Sequence, residues 1–256
     1  NHLKSVTIPE SVTRIGSDAF YHCDSLSSII LPNSVREIGS YAFAYCNLFE
    51  SIEIPSLVTS IDYAAFHHCD SLKSVITESN ADFSDADLTF TKDGIRYKVY
   101  KKDNVGVAPN SYSGNVVIPT SVTAGNTFTI TSIDDEAFYN CNHLKSVTIP
   151  ESVTRIGSES FYHCDSLTSI VLPNSLTSIN SRTFYSCTNL KSVVIGSSIS
   201  NIYYYAFANC DSLTSITISC NTPPSANSGA FYNVDNLGLI TLRVPEGSKS
   251  YYQEHY

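Results

Sequence analysis

The chain repeats one stretch of its sequence almost unchanged. Residues 1–24 read NHLKSVTIPESVTRIGSDAFYHCD, and residues 142–165 read NHLKSVTIPESVTRIGSESFYHCD. The copies differ only where Asp18 and Ala19 of the first correspond to Glu159 and Ser160 of the second. Looser copies fill much of the remaining chain. A short period of this kind predicts an open stack of equivalent coils, because each coil can bury its apolar side chains only against its neighbours.

The copies, aligned on the leucine that opens each coil, share a 23-residue unit, L-x-x-I-x-I-P-x-S-V-T-x-I-G-x-x-A-F-x-x-C-x-x. Alternation of Val6 and Ile8 with polar residues predicts a strand buried on one face, and Pro9 ends it. Val12 and Ile15 predict a second short extended segment that also faces inward. Copies begin at Leu3, Leu26, Phe49, Leu144, Leu167, Leu190 and, slightly altered, Leu213; two degenerate copies begin near Leu72 and Ser113.

The second half of the unit predicts a turn. The column that begins with Gly16 holds residue types that tolerate positive φ, so we expect a left-handed conformation there. A short helical turn is expected to follow, with Ala19, Phe20 and Cys23 packed inward. Tyr203 departs from the glycine column, whose other members are Gly39, Asp62, Asp134, Gly157 and Asn180.

The repeats predict a single solenoid over residues 1–256, with about nine coils. Residues 77–115 lapse from the pattern and indicate an irregular, hairpin-containing insertion within that solenoid, in preference to a separate domain, with turns at residues 92–94 and 102–104. The AGNTFT stretch from Ala124 to Thr129 lengthens a later turn. Residues 237–256 contain one last strand and a polar, aromatic tail, which predicts a C-terminal cap over the final coil.

The composition narrows the possible partners. The net charge is −9, only 15% of residues are charged, and no Lys/Arg-rich run is present, which weighs against nucleic acid and anionic membrane. No apolar run approaches the roughly 20 residues that span a bilayer. No signal peptide is visible, Met is absent, and the sequence starts almost inside a repeat, so we expect a piece of a longer protein.

The residues LKSVTIPESVTRIGSDAFYHC and their copies resemble the BspA-like class of bacterial-type leucine-rich repeats, over most of the chain apart from roughly residues 77–112. The closing VPEGSKSYY resembles the end of such arrays. The resemblance implies an α/β-type, mainly β repeat protein. Its fold would be a right-handed leucine-rich-repeat solenoid with a parallel concave sheet, short convex strands and helical turns. It also implies a secreted or surface-attached protein, since some members of the class are adhesins for matrix or plasma glycoproteins.

The cysteines recur once per coil at an inward position. Eight cysteines in a secreted chain could form four disulfides. One cysteine per coil is better explained as a small buried hydrophobe, because parallel inward side chains rarely meet the torsion that a disulfide requires. We therefore predict free, buried thiols.

The repeated His-Cys pairs at residues 22–23, 68–69 and 163–164 suggest a metal site at first sight. Neighbouring residues on a turn face different ways, so an inward cysteine leaves its histidine in solvent. His22 and His68 also lie two coils apart, too far for shared coordination. We predict solvated histidines, no bound metal and no cofactor.

An acidic patch lies in the irregular segment. Asp82, Asp85 and Asp87, with Glu78 nearby, could hold Ca²⁺, but their spacing differs from an EF-hand loop and a solvated loop is the preferred interpretation.

No G-x-S-x-G motif or phosphate-binding glycine loop is present. Catalysis needs one unusual constellation rather than many equal ones, so the chain is predicted not to be an enzyme.

The outer face of the predicted sheet is the main candidate for a ligand surface. A serine column and its variable neighbour could form a broad, lightly charged platform, or could only stabilise adjacent strands. The tyrosines in the turns offer a second surface, or only shield those turns. They are Tyr21, Tyr45, Tyr139, Tyr162, Tyr185 and Tyr203 to Tyr205. The candidate platform residues are Ser5, Thr7, Ser28, Ile30, Ser51, Glu53, Ser146, Thr148, Ser169, Val171, Ser192 and Val194.

Three hypotheses about function follow. The first is a non-enzymatic recognition or adhesion scaffold, secreted or at the cell surface, which binds a host or matrix protein or glycoprotein as a monomer. The second is a structural spacer or accessory module of a larger surface protein. The third is a hydrolase that uses the segment 77–115 as part of its site.

Overall fold

The computed structural model describes residues 2–235 and 237–255. Asn1, the first residue of the repeated stretch, and Tyr256, the last residue of the predicted cap, lie outside the described residues. The described chain is mainly β, with one short 3₁₀ turn at Leu237–Leu239 and one helix, α1, at Lys249–His255. None of its helices is long and apolar enough to cross a membrane.

The strands are short and follow the repeat. In chain order the first are β1 (Arg14–Ile15), β2 (Ser28–Ile30), β3 (Glu37–Ile38), β4 (Ser51–Ile54), β5 (Ser60–Ile61), β6 (Ser74–Thr77), β7 (Thr89–Lys92), β8 (Ile95–Lys101), β9 (Asn104–Val107) and β10 (Gly114–Val117). They continue as β11 (Ser121–Ala124), β12 (Asn126–Ile133), β13 (Leu144–Thr148), β14 (Arg155–Ile156), β15 (Ser169–Val171), β16 (Ser178–Ile179), β17 (Ser192–Ile195), β18 (Asn201–Ile202), β19 (Ser215–Ile218), β20 (Ser225–Ala226) and β21 (Thr241–Arg243).

The described residues form two compact units. Unit 1 comprises the residues up to Val107 together with Ser121–Ile130, and unit 2 comprises Ala108–Thr120 together with the residues from Thr131 onward. The prediction of a single solenoid with an insertion at 77–115 and a cap at 237–256 stays a prediction.

Unit 1 contains two parallel sheets whose strands are related by one repeat. Strands β2, β4 and β6 pair in register, so that Ser28 lies opposite Ser51 and Ser51 opposite Ser74. The two-residue strands β1, β3 and β5 pair in the same way. This register confirms the predicted stack of coils. Antiparallel pairing occurs where the repeat lapses, between β7 and β8, β8 and β9, and β11 and β12, and the last pair places the AGNTFT stretch in a hairpin.

Unit 2 repeats the arrangement. Strands β15, β17, β19 and β21 form one parallel sheet, and β16, β18 and β20 form another. Strand β10 pairs with β13, and the last residues of β12 pair with β14. Beyond β21, Tyr252 of α1 is 4% exposed and its hydroxyl donates to the carbonyl oxygen of Cys220 at 3.0 Å. This contact ties the C-terminal helix to the last coils.

Phenylalanine rings stack along the interior of each unit. In unit 1, Phe43 lies 5.2 Å from Phe20 and 5.4 Å from Phe66 between ring centroids, with nearly parallel planes. In unit 2 the corresponding separations run from 4.9 to 5.3 Å through Phe138, Phe161, Phe184, Phe207 and Phe231. Each fully buried ring contributes about 1.5–3 kcal/mol, so these columns stabilise the stack.

The turns differ from the prediction. Gly16, Gly39 and Gly157 do not have positive φ, so the left-handed conformation predicted for their column is wrong. It occurs instead two and six residues later, as at Asp18 (φ 56°) and His22 (φ 54°). The two columns contain Asp18, Tyr41, Ala64, Glu136, Glu159, Arg182 and Tyr205, and then His22, Tyr45, His68, Asn140, His163, Ser186 and Asn209.

Linked β-turns explain this placement. The amide of Ala19 donates to the carbonyl of Gly16, and the amide of Cys23 donates to the carbonyl of Phe20. Asp18 and His22 are the third residues of these turns, the position at which a type II turn requires positive φ. A left-handed residue every four positions interrupts helical geometry, so the segment is a chain of turns rather than the helical turn that was predicted.

Glycine at position 39 is explained by its closeness to the preceding coil. The amide of Gly39 donates to the carbonyl of Ile15 in the preceding coil at 2.9 Å. A Cβ added at Gly39 would lie 2.6 Å from the backbone nitrogen of Ser17, closer than real Cβ atoms approach. The residue is small because a neighbouring backbone passes beside it.

All eight cysteines are free and buried, as predicted. Five of the thiols also donate to a phenylalanine carbonyl of the preceding coil, which the sequence did not reveal. Cys69 Sγ lies 3.1 Å from the carbonyl oxygen of Phe43, and Cys187 Sγ lies 3.0 Å from that of Phe161. The thiol column therefore links coils as well as filling space.

Candidate functional site

In unit 1 the predicted platform residues form rows across the parallel strands. Thr7 lies opposite Ile30, Ile30 opposite Glu53, and Glu53 opposite Ile76. Ser28, Ser51 and Ser74 form the adjacent row, and Ser5 is exposed two residues before Thr7, outside any strand. We call these outward-facing strand positions, with their counterparts in unit 2, the outer sheet face.

Ile30 dominates this part of the outer sheet face. Its side chain is 84% exposed in the middle of the row, and Ile76 is 39% exposed on the other side of Glu53. A shallow cleft of about 410 Å³ lies over the same strands. Two aliphatic side chains around a single carboxylate can make apolar contacts and one charged contact with a partner.

In unit 2 the predicted residues lie on two sheets. Ser146 and Thr148 are on β13, and the Ser146 hydroxyl donates to the side-chain oxygen of Asn115 at 2.8 Å. In the other sheet, Ser169 lies opposite Ser192 and Val171 opposite Val194. Val171 is 60% exposed, whereas Ser192 and Val194 are half-buried. All these residues face outward, and their role in binding stays a prediction.

The histidines of the turns face solvent, as predicted, and each lies near an aspartate two residues ahead. His68 Nδ1 is 3.3 Å from Asp70 Oδ2, and His22 Nδ1 is 3.7 Å from Asp24 Oδ1. Within the described ranges, no group of three or more His, Cys, Asp or Glu side chains is arranged to hold a metal ion.

The acidic patch is distributed over separate local contacts. Asp82 accepts a hydrogen bond from the amide of Ser84 at 2.8 Å, and bonds from Ser84 lower the pKa of its carboxyl. Asp87 reaches across to His67, whose Nδ1 lies 2.6 Å from Asp87 Oδ2. Asp82 therefore stabilises its own loop, whereas Asp87 contacts the neighbouring coil.

The turn tyrosines stack on one another, which sequence reasoning missed. In unit 2, the rings of Tyr139, Tyr162 and Tyr185 form what we call the tyrosine ladder, with centroid separations of 4.8 and 4.9 Å and nearly parallel planes. Burial raises the pKa of Tyr162, and its two neighbouring tyrosines add to the effect. In unit 1 the surface alternates ring types, since His22 stacks on Tyr45 at 4.7 Å.

A cleft of about 460 Å³ adjoins Tyr139 at the end of the tyrosine ladder. We call it the Tyr139 cleft. Its other lining residues come from two neighbouring segments of unit 2; they are Ser111, Tyr112, Ser113, Asn140, Cys141, Asn142 and His143. Sequence reasoning missed this cleft because residues 108–114 belong to a degenerate copy of the unit.

The repeated columns, now placed on stacked strands and turns, match a known family profile. The profile of the BspA type leucine rich repeat region matches this chain in six copies, over residues 1–103 and 118–253. The chain belongs to the BspA-type leucine-rich repeat family. Its mainly β solenoid of stacked parallel strands is the fold expected of that family.

Solved structures of bacterial leucine-rich repeat proteins are similar to this BspA-type chain. A leucine rich cell surface protein of Faecalibacterium prausnitzii is 29% identical with a TM-score of 0.54, over 98% of this chain and 62% of that protein. A Bacteroides ovatus leucine-rich repeat protein is 24% identical with a TM-score of 0.41, over 95% of this chain and 78% of that protein. The pneumococcal vaccine antigen PcpA is 19% identical with a TM-score of 0.49, over 95% of this chain and 68% of that protein. No curated protein sequence matches the chain.

Membership of the BspA-type family explains the columns but not the surfaces that vary between coils. One position of the repeat holds three different residue types in four successive coils, at Thr7, Ile30, Glu53 and Ile76. The fold tolerates this variation because these side chains face outward. Positions free to vary on a fixed scaffold are where a repeat protein can acquire specificity.

Proposed function

We propose that this chain is a non-enzymatic recognition scaffold, displayed outside the cell, that binds a protein or glycoprotein through the outer sheet face. The observation that carries the proposal is the exposure of Ile30, which is 84% accessible at the centre of a strand row. Val171 occupies the equivalent column in unit 2 and is 60% exposed. Exposed apolar side chains that cluster on one face and are rimmed by polar residues mark interaction surfaces, and Ile30 lies with Ile76 around Glu53 in such a cluster.

Surface display is supported by a relative. The Faecalibacterium prausnitzii protein, 29% identical over 98% of this chain, is a leucine rich cell surface protein. This chain spans 62% of that protein's length. We extend the location, and not any ligand, to the present chain.

The test is binding of the purified protein to immobilised extracellular-matrix and plasma glycoproteins, measured by biolayer interferometry. Ile30→Asp places a second carboxylate beside Glu53 and should weaken binding about tenfold or more, as expected for an interface anchor. Leu57→Asp is the matched control, because Leu57 is also an exposed aliphatic residue, at 47%, but lies in a turn outside the face.

Two outcomes would contradict the proposal. Unchanged binding by both Ile30→Asp and Val171→Asp would remove the outer sheet face as the binding surface. Failure to bind any member of the panel would favour the structural spacer instead. Circular dichroism of each variant separates lost binding from lost folding.

A further inference from the structure

One end of the tyrosine ladder is open. Tyr162 has a ring on each side, with Tyr139 at 4.8 Å and Tyr185 at 4.9 Å. Tyr139 has one ring neighbour among the described residues, and it is 39% exposed. The face of Tyr139 that points away from Tyr162 therefore has no aromatic cover.

The coil segment on that side explains the opening. Residues 108–114 run beside Tyr139, since the amide of Asn110 donates to the carbonyl of Ala137 and the amide of Gly114 donates to that of His143. The segment directs its own tyrosine inward. Tyr112 is 6% exposed, and its ring lies 4.6 Å from Phe138.

Small residues flank that inward tyrosine. Ser111 and Ser113 lie on either side of Tyr112 and line the Tyr139 cleft, which has a volume of about 460 Å³. A fourth ring in this position would have extended the ladder. Two serines leave a space of the size of a small ligand, floored by an aromatic ring.

The rim of the cleft is polar and uncharged. Asn140, Asn142 and His143 are exposed, and within residues 2–235 and 237–255 no protein group bonds their side chains. Their amides and imidazole supply both donors and acceptors. The described lining contains no Asp, Glu, Lys or Arg. This chemistry fits vicinal hydroxyl groups better than it fits a phosphate or an acyl chain.

We propose that the Tyr139 cleft binds one pyranose residue of a glycan. The C–H face of the sugar packs on the open face of Tyr139, and its hydroxyls bond Asn142, His143 and the serines of the opposite wall. This inference rests on the proposed function and names its ligand class. The glycan site lies in the turns, so it is a separate surface from the outer sheet face.

The experiment uses serum albumin that carries β-galactosyl, β-N-acetylglucosaminyl, α-mannosyl or α-fucosyl groups, with bare albumin as the reference. The wild-type chain should bind at least one conjugate above bare albumin. Tyr139→Ala should weaken that binding about tenfold or more, while Tyr139→Phe, which keeps the ring, should stay within about threefold. Tyr204→Ala is the matched control, because it removes an exposed tyrosine elsewhere in unit 2.

Two results would overturn the glycan site: no conjugate binds above bare albumin, or Tyr139→Ala binds as tightly as the wild type. The glycoprotein panel, used before and after enzymatic removal of its glycans, separates this failure from failure of the proposed function. Undiminished binding to deglycosylated proteins overturns the glycan site and leaves the scaffold intact. Loss of binding on deglycosylation supports the glycan site.

Discussion

At the scale of single residues, the buried thiols connect one coil to the next. Cys46, Cys164 and Cys210 each place Sγ 3.1 to 3.2 Å from a phenylalanine carbonyl of the preceding coil. Individual S–H···O contacts are weak, but here the same contact recurs from coil to coil. Burial raises the pKa of Cys46 and of Cys210 to about 12. Such thiols stay protonated and unreactive at neutral pH.

The raised thiol pKa values predict a loss of stability at alkaline pH. An unfolded thiol titrates near its ordinary pKa of 9.0, whereas Cys46 and Cys210 keep their protons until about pH 12. The stabilisation is fully present below about pH 9 and is lost as pH rises toward 12, because only the unfolded chain releases the protons. Each such thiol should lower the free energy of unfolding by about 1.4 kcal/mol per pH unit in that window.

Urea unfolding of the wild type and of a Cys46→Ala, Cys210→Ala double variant at pH 7, 9 and 10.5 measures this effect. Between pH 9 and 10.5, the free energy of unfolding should fall less steeply for the double variant than for the wild type. Identical slopes would show that these thiols do not titrate differently in the folded and unfolded chains. At pH 7 the thiols should contribute no pH dependence to the free energy of unfolding of either protein, because neither the folded nor the unfolded chain ionises its thiols there.

At the scale of structural elements, each turn presents two stacks of rings to different surroundings. Phe161 is fully buried and stacks between Phe138 and Phe184. Its neighbour Tyr162 is half-buried and stacks in the tyrosine ladder. The sequence alone predicts that Tyr162, the outward neighbour of Phe161, has little effect on stability. The stacking of its ring predicts a larger effect.

Truncation of the two rings should therefore give two different losses. Phe161→Ala should cost about 3–5 kcal/mol, because it leaves a cavity in a packed core. Tyr162→Ala should cost about 1–2 kcal/mol, because it removes two ring contacts at a partly exposed site. Chemical denaturation measures both values. Tyr162→Phe, which keeps the ring, should stay near the wild type, and equal losses from Phe161→Ala and Tyr162→Ala would contradict the assignment of inward and outward columns.

The strands and the core could be predicted because their signal recurs in every coil. Val6, Ile8 and Phe20 belong to columns that stacking alone explains, and the paired strands from Ser28 onward confirm the register, although the first coil contributes only the bridge at Thr7. The left-handed residues could not be predicted, since Asp18 and Arg182 occupy the same conformation with unlike side chains. The fold imposes that conformation through turn hydrogen bonds, against a local preference of about 1–2 kcal/mol.

The candidate site was predictable only in part, for the same reason. The outward position of Ile30 and Val171 follows from strand alternation, so the outer sheet face could be located from the sequence. The Tyr139 cleft arises where a degenerate copy departs from the repeat, and a departure carries no periodic signal. Only the inward rotation of Tyr112, seen in its contact with Phe138, reveals the space beside Tyr139.

At the scale of the whole molecule, the repeat makes coils interchangeable. The near-identical stretches 2–24 and 142–165 occur in different units and form the strands β1 and β14 at corresponding positions. The second stretch also forms β13, where the first has only an isolated bridge at Thr7. Each coil contacts mainly its neighbours, so stability is expected to be a sum of coil and interface contributions.

Removal of one whole coil should therefore preserve folding. Deletion of residues 167–189 joins Ser166 to Leu190 and keeps every column in register, because these 23 residues are one repeat. We expect an unchanged far-ultraviolet circular dichroism spectrum and cooperative thermal unfolding at a somewhat lower midpoint. Deletion of residues 167–177, about half a coil, is the control and should abolish cooperative unfolding. Loss of folding in both deletions would contradict the independence of the coils.

The absence of disulfides among the described residues has a mechanical consequence for the surface display proposed above. No covalent bridge clamps one coil to another, so a pulling force on the two ends would be opposed only by hydrogen bonds and packed rings. A detached coil of 23 residues could extend by roughly 75–80 Å, against about 4.8 Å that it occupies in the stack. Under shear, the chain would extend by unfolding one coil at a time, without breaking a covalent bond.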